Sequence, residues 1–188
     1  MNSLLVGESV GRKEDRRLVT GKGSFTIDIK QPGELYVYFV RSPYAHARIK
    51  SAKVNKGDEA FFAFFDDDVK KDLPVISIWP GTPAPRFPLL ARGEVLYAGQ
   101  LVAAVVAGSR ALAEDAAEGI EVEYEALPVI MDGEAALKHG SPSVHKDLKS
   151  NLIGSWTNHN GSFDAALASA DVVIEEKFSA QRVTGQAI

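Results

Sequence analysis

The 188-residue chain contains no cysteine. That absence excludes disulfides, thiolate nucleophiles, iron–sulfur clusters and cysteine-based zinc sites. If the protein takes part in electron transfer, another chain or domain must hold the redox centres. Basic charge is also lacking: the formal net charge is −4 and the pI is near 5.6. Nucleic acids and anionic membranes call for basic patches, so neither is expected as a partner. No run approaches the ~18 consecutive apolar residues of a bilayer span. Residues 1–7 have neither a basic start nor an apolar stretch long enough for a secretory signal, so a cytoplasmic protein is expected. What is present is ordinary for a globular domain, with 45% hydrophobic and 24% charged residues. The length suits one domain with a core, or a domain with an appendage.

Residues 7–31 are polar and turn-rich, and read as an irregular arm with one short strand at 24–27. The Pro32-Gly33 turn signal precedes a Tyr/Val/Phe-rich strand at 35–40. Residues 47–54 alternate apolar and basic positions and read as a half-buried strand with a bulge. The apolar run 61–65 ends in Asp66-Asp67-Asp68, which suits the cap of a short helix over 69–72. Five of the nine prolines fall within 74–88 and predict an extended surface loop. The clearest unit lies at 101–125. LVAAVVA at 101–107 is a continuous apolar run, as in a strand buried on both faces. Ser109 is a good N-cap for a helix whose apolar stripe is Leu112, Ala113, Ala116, Ala117 and Ile120, and Gly119 stands at its C-cap. Ile120, Val122 and Tyr124 then alternate with Glu121, Glu123 and Glu125 in a strand with one solvated face. Residues 133–137 suggest a helical turn and 138–150 a polar connector. Residues 162–170 read as a helix capped by Ser162, running into a strand from Val172 through Ala180. The end, 181–188, carries no stop signal and reads as cut short.

Few residues carry a chemical signal. Gly21-Lys22-Gly23-Ser24 lacks the further glycine of a dinucleotide loop and the spacing of a Walker loop, and reads as a flexible turn. His46, His139, His145 and His159 form no HExxH pattern. Asp66-Asp67-Asp68 lacks the glycine and terminal glutamate of a calcium loop. The Glu121, Glu123, Glu125 row alternates with core residues and should face water rather than perform acid–base work. Asn160-Gly161 reads as a turn. The most specific stretch is Phe39-Val40-Arg41-Ser42-Pro43-Tyr44-Ala45-His46-Ala47-Arg48-Ile49, where one strand breaks at Ser-Pro and another resumes. Arg41 and His46 at such a corner are placed to donate to strand-end carbonyls, a structural task, with catalysis as the competing reading.

That stretch and two others resemble the large subunits of molybdenum hydroxylases, the family of aldehyde oxidase, xanthine dehydrogenase and aerobic carbon monoxide dehydrogenase. The opening Val6-Gly7-Glu8-Ser9-Val10, Arg12-Lys13-Glu14-Asp15 and Thr20 through Asp28 is similar to the family's N-terminal signature. The corner Arg41 through Ile49 is a second motif. The third runs from Val95-Leu96-Tyr97-Ala98-Gly99-Gln100-Leu101-Val102-Ala103 through Ala113-Glu114-Asp115-Ala116-Ala117 to Val122-Glu123-Tyr124-Glu125-Ala126-Leu127-Pro128. Order and spacing agree, and the resemblance covers nearly the whole chain.

The resemblance implies a mixed α+β fold: an α/β hammerhead domain at 31–135, behind an arm at 1–30. A connector and the start of the molybdopterin-binding region follow at 136–188, as a helix–strand extension. It places molybdopterin, the Gly-Gly-Phe-Gly loop and the glutamate base in later domains, and iron–sulfur and FAD in partner subunits. No catalytic, cofactor or metal residue is therefore expected here, and the chain should be inactive alone. Arg41, Ser42, Pro43, His46, Gly99 and Gln100 are expected as a structural or interface corner. Expected partners are the molybdopterin domain or subunit and the iron–sulfur and flavin subunits, with self-association through an exposed apolar patch. A stand-alone scaffold module is the competing reading. The chain departs from the family at Asn55-Lys56-Gly57-Asp58-Glu59, at Phe61 through Asp68 and in a short Pro-rich loop, which leaves the substrate subfamily open.

Overall fold

The computed structural model describes residue 7 and residues 9–55, 60–74, 82–158 and 160–180. Two compact units emerge: Leu35–Ala170, and Met1–Glu34 together with Asp171–Ile188.

Among the described residues, unit Leu35–Ala170 holds every strand. In one antiparallel sheet β1 (Tyr36–Arg41) and β3 (Phe61–Phe64) flank β7 (Leu101–Ala107). In a second, β6 (Glu94–Val95) and β8 (Ile120–Ala126) flank β2 (Ala47–Val54), again antiparallel. A two-stranded ribbon pairs β4 (Asp72–Leu73) with β5 (Phe87–Pro88), so the Pro-rich stretch closes on an antiparallel pair. Residues 75–81 of that stretch lie outside the described residues.

The unit read most clearly from sequence forms β7, helix α3 (Arg110–Glu118) and β8. Ser109 Oγ accepts the Leu112 N–H at 3.2 Å, satisfying an N-terminal amide that has no helical partner. Ala113 and Ala117 are buried on the inner face. The helix stops at Gly119 with φ −79° rather than in a left-handed cap, and an added Cβ there would stand 3.2 Å from the Ala116 carbonyl. β7 and β8 join different sheets. Their connection is a sheet-to-sheet crossover, which the polar alternation of β8 could not reveal.

β7 serves two cores because strand side chains alternate. Ala103 and Val105 pack with Ala117 and Ile120, with Tyr38, Val40, Phe61 and Ala63 around them. Val102 points the other way and joins Ala47, Ala91 and Val95. The expectation of a strand buried on both faces holds only in part. Beyond Val102, Ala104 and Val106 are half-exposed, and in cross-strand register with them stand Val37 and Phe39 of β1 and Phe62 and Phe64 of β3, all exposed.

β2 carries the expected bulge, a register shift between Ile49 and Ser51 against β8. Its basic residues meet the glutamate row: Arg48–Glu125 at 2.9 Å, Lys53–Glu121 at 3.4 Å and Lys50–Glu123 at 3.9 Å. The three carboxylates are solvated and paired. The Asp triplet does not cap a following helix but forms the helix itself, α2 (Asp66–Val69). The Asp68 carboxylate accepts the Phe65 N–H at 2.7 Å, so the cap sits one turn earlier than expected. Beyond β8, the turn α4 (Gly133–Ala136) and helix α5 (Phe163–Ala168) start at side-chain caps from Asp132 and Ser162.

In the other unit, the charged run forms a short helix, α1 (Asp15–Val19), absent from the sequence reading. The strand expected at 24–27 is instead a 3₁₀ turn over Thr26–Asp28, because the Asp28 carboxylate captures the Phe25 N–H at 2.9 Å and closes a local ring. Residues 172–180 form no ladder among the described residues, contrary to the strand expected there. Alternation supplies a strand's faces but not its partner.

Candidate functional site

The corner between β1 and β2 is where the sequence places its most specific residues. Pro43 has no N–H to offer a ladder, and β1 ends at Arg41. The chain leaves the sheet against the turn that precedes β7. There, Gln100 N–H reaches the Tyr97 carbonyl at 3.2 Å, and Gly99 adopts φ +86°, which glycine alone accepts without strain. Ser42 N–H donates to the Gln100 carbonyl at 2.9 Å, and Gly99 N–H returns to the Ser42 carbonyl at 2.8 Å. Arg41 Nη1 donates to the Gly99 carbonyl at 2.9 Å. Five of the six expected corner residues therefore meet here.

The side chains lock the same turn. Ser42, 3% exposed, accepts the Tyr44 N–H at 3.0 Å and donates to the Tyr44 carbonyl at 3.1 Å. Gln100, 6% exposed, accepts the Leu96 N–H through Oε1 at 2.7 Å. Tyr44 and Tyr124 pack ring to ring with centroids 5.1 Å apart. Burial raises the Tyr124 hydroxyl above its ordinary range and Tyr44 adds to this, against a hydrogen bond with Ser42 that lowers it.

His46 stands at the far side of the corner and binds elsewhere. Its Nδ1 lies 2.6 Å from the Pro128 carbonyl, which only accepts, so Nδ1 carries a hydrogen. Its Nε2 lies 2.5 Å from Glu94 Oε1, and the second oxygen of Glu94 takes the ammonium of Lys146. Burial opposes the charge on Glu94, but the Lys146 and His46 hydrogen bonds and their charges outweigh it and hold the carboxyl below its usual range. Sequence reasoning missed Glu94 and Lys146. They lie 48 residues from His46 and 52 from Glu94 respectively, and no local pattern signals them. It also missed Arg92, which forks onto Asp66 at 2.7 and 3.0 Å and reaches Asp72 at 3.2 Å. Asp66 raises the Arg92 guanidinium further above its ordinary value against partial desolvation, with Asp72 adding to the rise.

The family model described as aldehyde oxidase and xanthine dehydrogenase, a/b hammerhead domain, matches residues 20–128. The chain belongs to that family. The hammerhead chain is 37% identical to the carbon monoxide dehydrogenase large chain of Afipia carboxidovorans, across 92% of this chain and 23% of the relative. It is 35% identical to the gamma subunit of the 6-hydroxypseudooxynicotine dehydrogenase complex of Paenarthrobacter nicotinovorans, over 96% of this chain and 24% of that one. Among solved structures, quinoline 2-oxidoreductase from Pseudomonas putida 86 aligns at 40% identity with a TM-score of 0.70, over 79% of this chain and 20% of its own. A Cu,Mo-CO dehydrogenase aligns at 35% identity and TM-score 0.70, over 88% and 23%. The hammerhead chain thus spans about a quarter of the length of these relatives.

Among the described residues no buried side-chain polar atom lacks a partner. Among the same residues no three His, Asp or Glu side chains gather to hold a metal. His145 packs beside the Phe87 ring, with centroids 5.9 Å apart, and His159 lies outside the described residues. No helix among them is long and apolar enough to cross a membrane.

Proposed function

We propose that this chain serves as the non-catalytic hammerhead portion of a molybdopterin-dependent hydroxylase or dehydrogenase large subunit, working in the cytoplasm and inactive alone. The observation that carries this reading is the hammerhead match over residues 20–128 in a chain about a quarter the length of its relatives. One relative's name specifies copper and molybdenum, and another is a nicotinate dehydrogenase large molybdopterin subunit. The complete enzyme would hydroxylate a carbon centre with water-derived oxygen. Molybdopterin would supply that chemistry from domains beyond the hammerhead, with iron–sulfur and FAD groups in partner subunits taking the electrons. The role of Arg41, Ser42, Pro43, Gly99 and Gln100 is to fix the β1–β2 corner, and that of His46 is to tie it to Glu94 and Pro128. The exposed face of Val37, Phe39, Phe62 and Phe64 supports self-association when the chain is alone.

The test is molybdenum analysis and a dye-reduction assay with aldehyde, purine and carbon monoxide on the purified chain. The expected outcome is neither metal nor turnover, and stoichiometric molybdenum with turnover overturns the reading. Purification from the native source should bring a molybdopterin-bearing partner with it.

A further inference from the structure

β1 is an edge strand without the usual guards. Among the described residues it pairs only with β7, and none of them pairs with its outer edge along 37–41. Edge strands are ordinarily protected by lysines, prolines or bulges that turn the edge away. Here Tyr-Val-Tyr-Phe-Val precedes Arg41, the one charge in the strand, and the register shift lies at that same end. Beside this edge runs a groove of about 550 Å³ lined by residues 37–41 and by Glu114, Ala117 and Glu118 of α3. Successive strand side chains point to opposite faces, so five consecutive residues line one groove only along the strand's backbone edge. The opposite wall is a helix presenting two carboxylates one turn apart. While Glu121, Glu123 and Glu125 each meet a basic residue of β2, no ion pair among the described residues uses Glu114 or Glu118.

We propose that this groove is a strand-addition site. It receives an extended protein segment that pairs with β1 and carries lysine or arginine at alternate positions facing Glu114 and Glu118. The backbone edge supplies affinity through main-chain hydrogen bonds, and the carboxylates select the sign of the incoming side chains. Five positions at roughly 3.4 Å each accommodate about 17 Å of strand. The exposed segment 172–177 of this chain carries Glu175 and Glu176 against a single lysine, Lys177, and is a poor occupant on charge. The proposal is independent of the enzyme reading above.

The test uses the full chain and three synthetic eight-residue peptides. One alternates valine with lysine, one alternates valine with glutamate, and the third is the lysine peptide with its β1-facing amides N-methylated. Affinity is read by fluorescence anisotropy and engagement of β1 by amide hydrogen exchange. The lysine peptide should bind at least ten-fold more tightly than the glutamate peptide and slow exchange within residues 37–41. N-methylation should abolish that binding without altering the charge. In an E114K/E118K variant, both substitutions at exposed helix positions, the preference should invert. Equal binding of all three peptides, unchanged exchange in β1, or a preference that survives the charge reversal would overturn the proposal.

Discussion

Ser42 shows how one hydroxyl can hold a corner. Ser42→Ala removes a hydroxyl, itself only 3% exposed, that bonds both the N–H and the carbonyl of Tyr44, a residue 41% exposed. Because water can reach Tyr44, the cost is that of an ordinary hydrogen bond, about 1 kcal/mol, and should appear as a lowered thermal midpoint. Gly99→Ala meets no steric neighbour but must hold φ +86°, a left-handed conformation that costs a side-chain-bearing residue roughly 1–2 kcal/mol. Glu94 gives the corner a pH dependence. Its carboxyl titrates lower in the fold than in the unfolded chain, so its contribution is fully present above the ordinary value of 4.5 and is lost as pH falls through the lower folded value. The stability of Glu94→Gln, followed by denaturant melts from pH 6 to pH 3, should fall less steeply in the acid range than that of the parent. The corner residues were legible because a Ser-Pro break between two apolar runs needs its loose carbonyls satisfied, and Arg41 stood beside them. Glu94 and Lys146 were not, because their partners arrive only when β6 and the connector fold back.

At the scale of elements, what the sequence made plain were those stretches whose period and caps agree. β7, α3 and β8 carry an apolar run, a serine cap with an alanine stripe, and an apolar/acidic alternation, and each forms within a residue or two of its expected bounds. β3 was legible only as an apolar run: four residues rich in phenylalanine have no polar alternation to mark a strand, and β7 alone gives them a pairing edge. The strand expected at 172–180 failed for the converse reason, since alternation without a neighbour makes no sheet. β7 also offers an internal comparison. Val105 is fully buried under α3, while Val106 faces the open side. Val105→Ala should cost on the order of 2 kcal/mol, and Val106→Ala less than half of that, by urea unfolding of the two variants side by side.

At the scale of the larger unit, Leu35–Ala170, the fold is a sheet with one face clothed by α3 and much of the other left apolar, beside a second sheet whose outer face is charged. The isolated chain should therefore self-associate in sedimentation velocity. A Phe39→Ser/Phe62→Ser variant, changed only at exposed positions, should move it towards monomer without lowering its helix content. The charged sheet places a different constraint on such contacts. Every charged side chain of β2 is a cation and every charged side chain of β8 an anion, and the two sets meet across the strands. β2 already lies between β6 and β8, and β8 laid on β8 of another copy would set glutamate against glutamate along the strand, whereas β2 neutralises the row. The zipper is thus a rule of refusal as much as a bond. It turns a second copy away from the β8 edge, where that copy's own glutamates would face the same row.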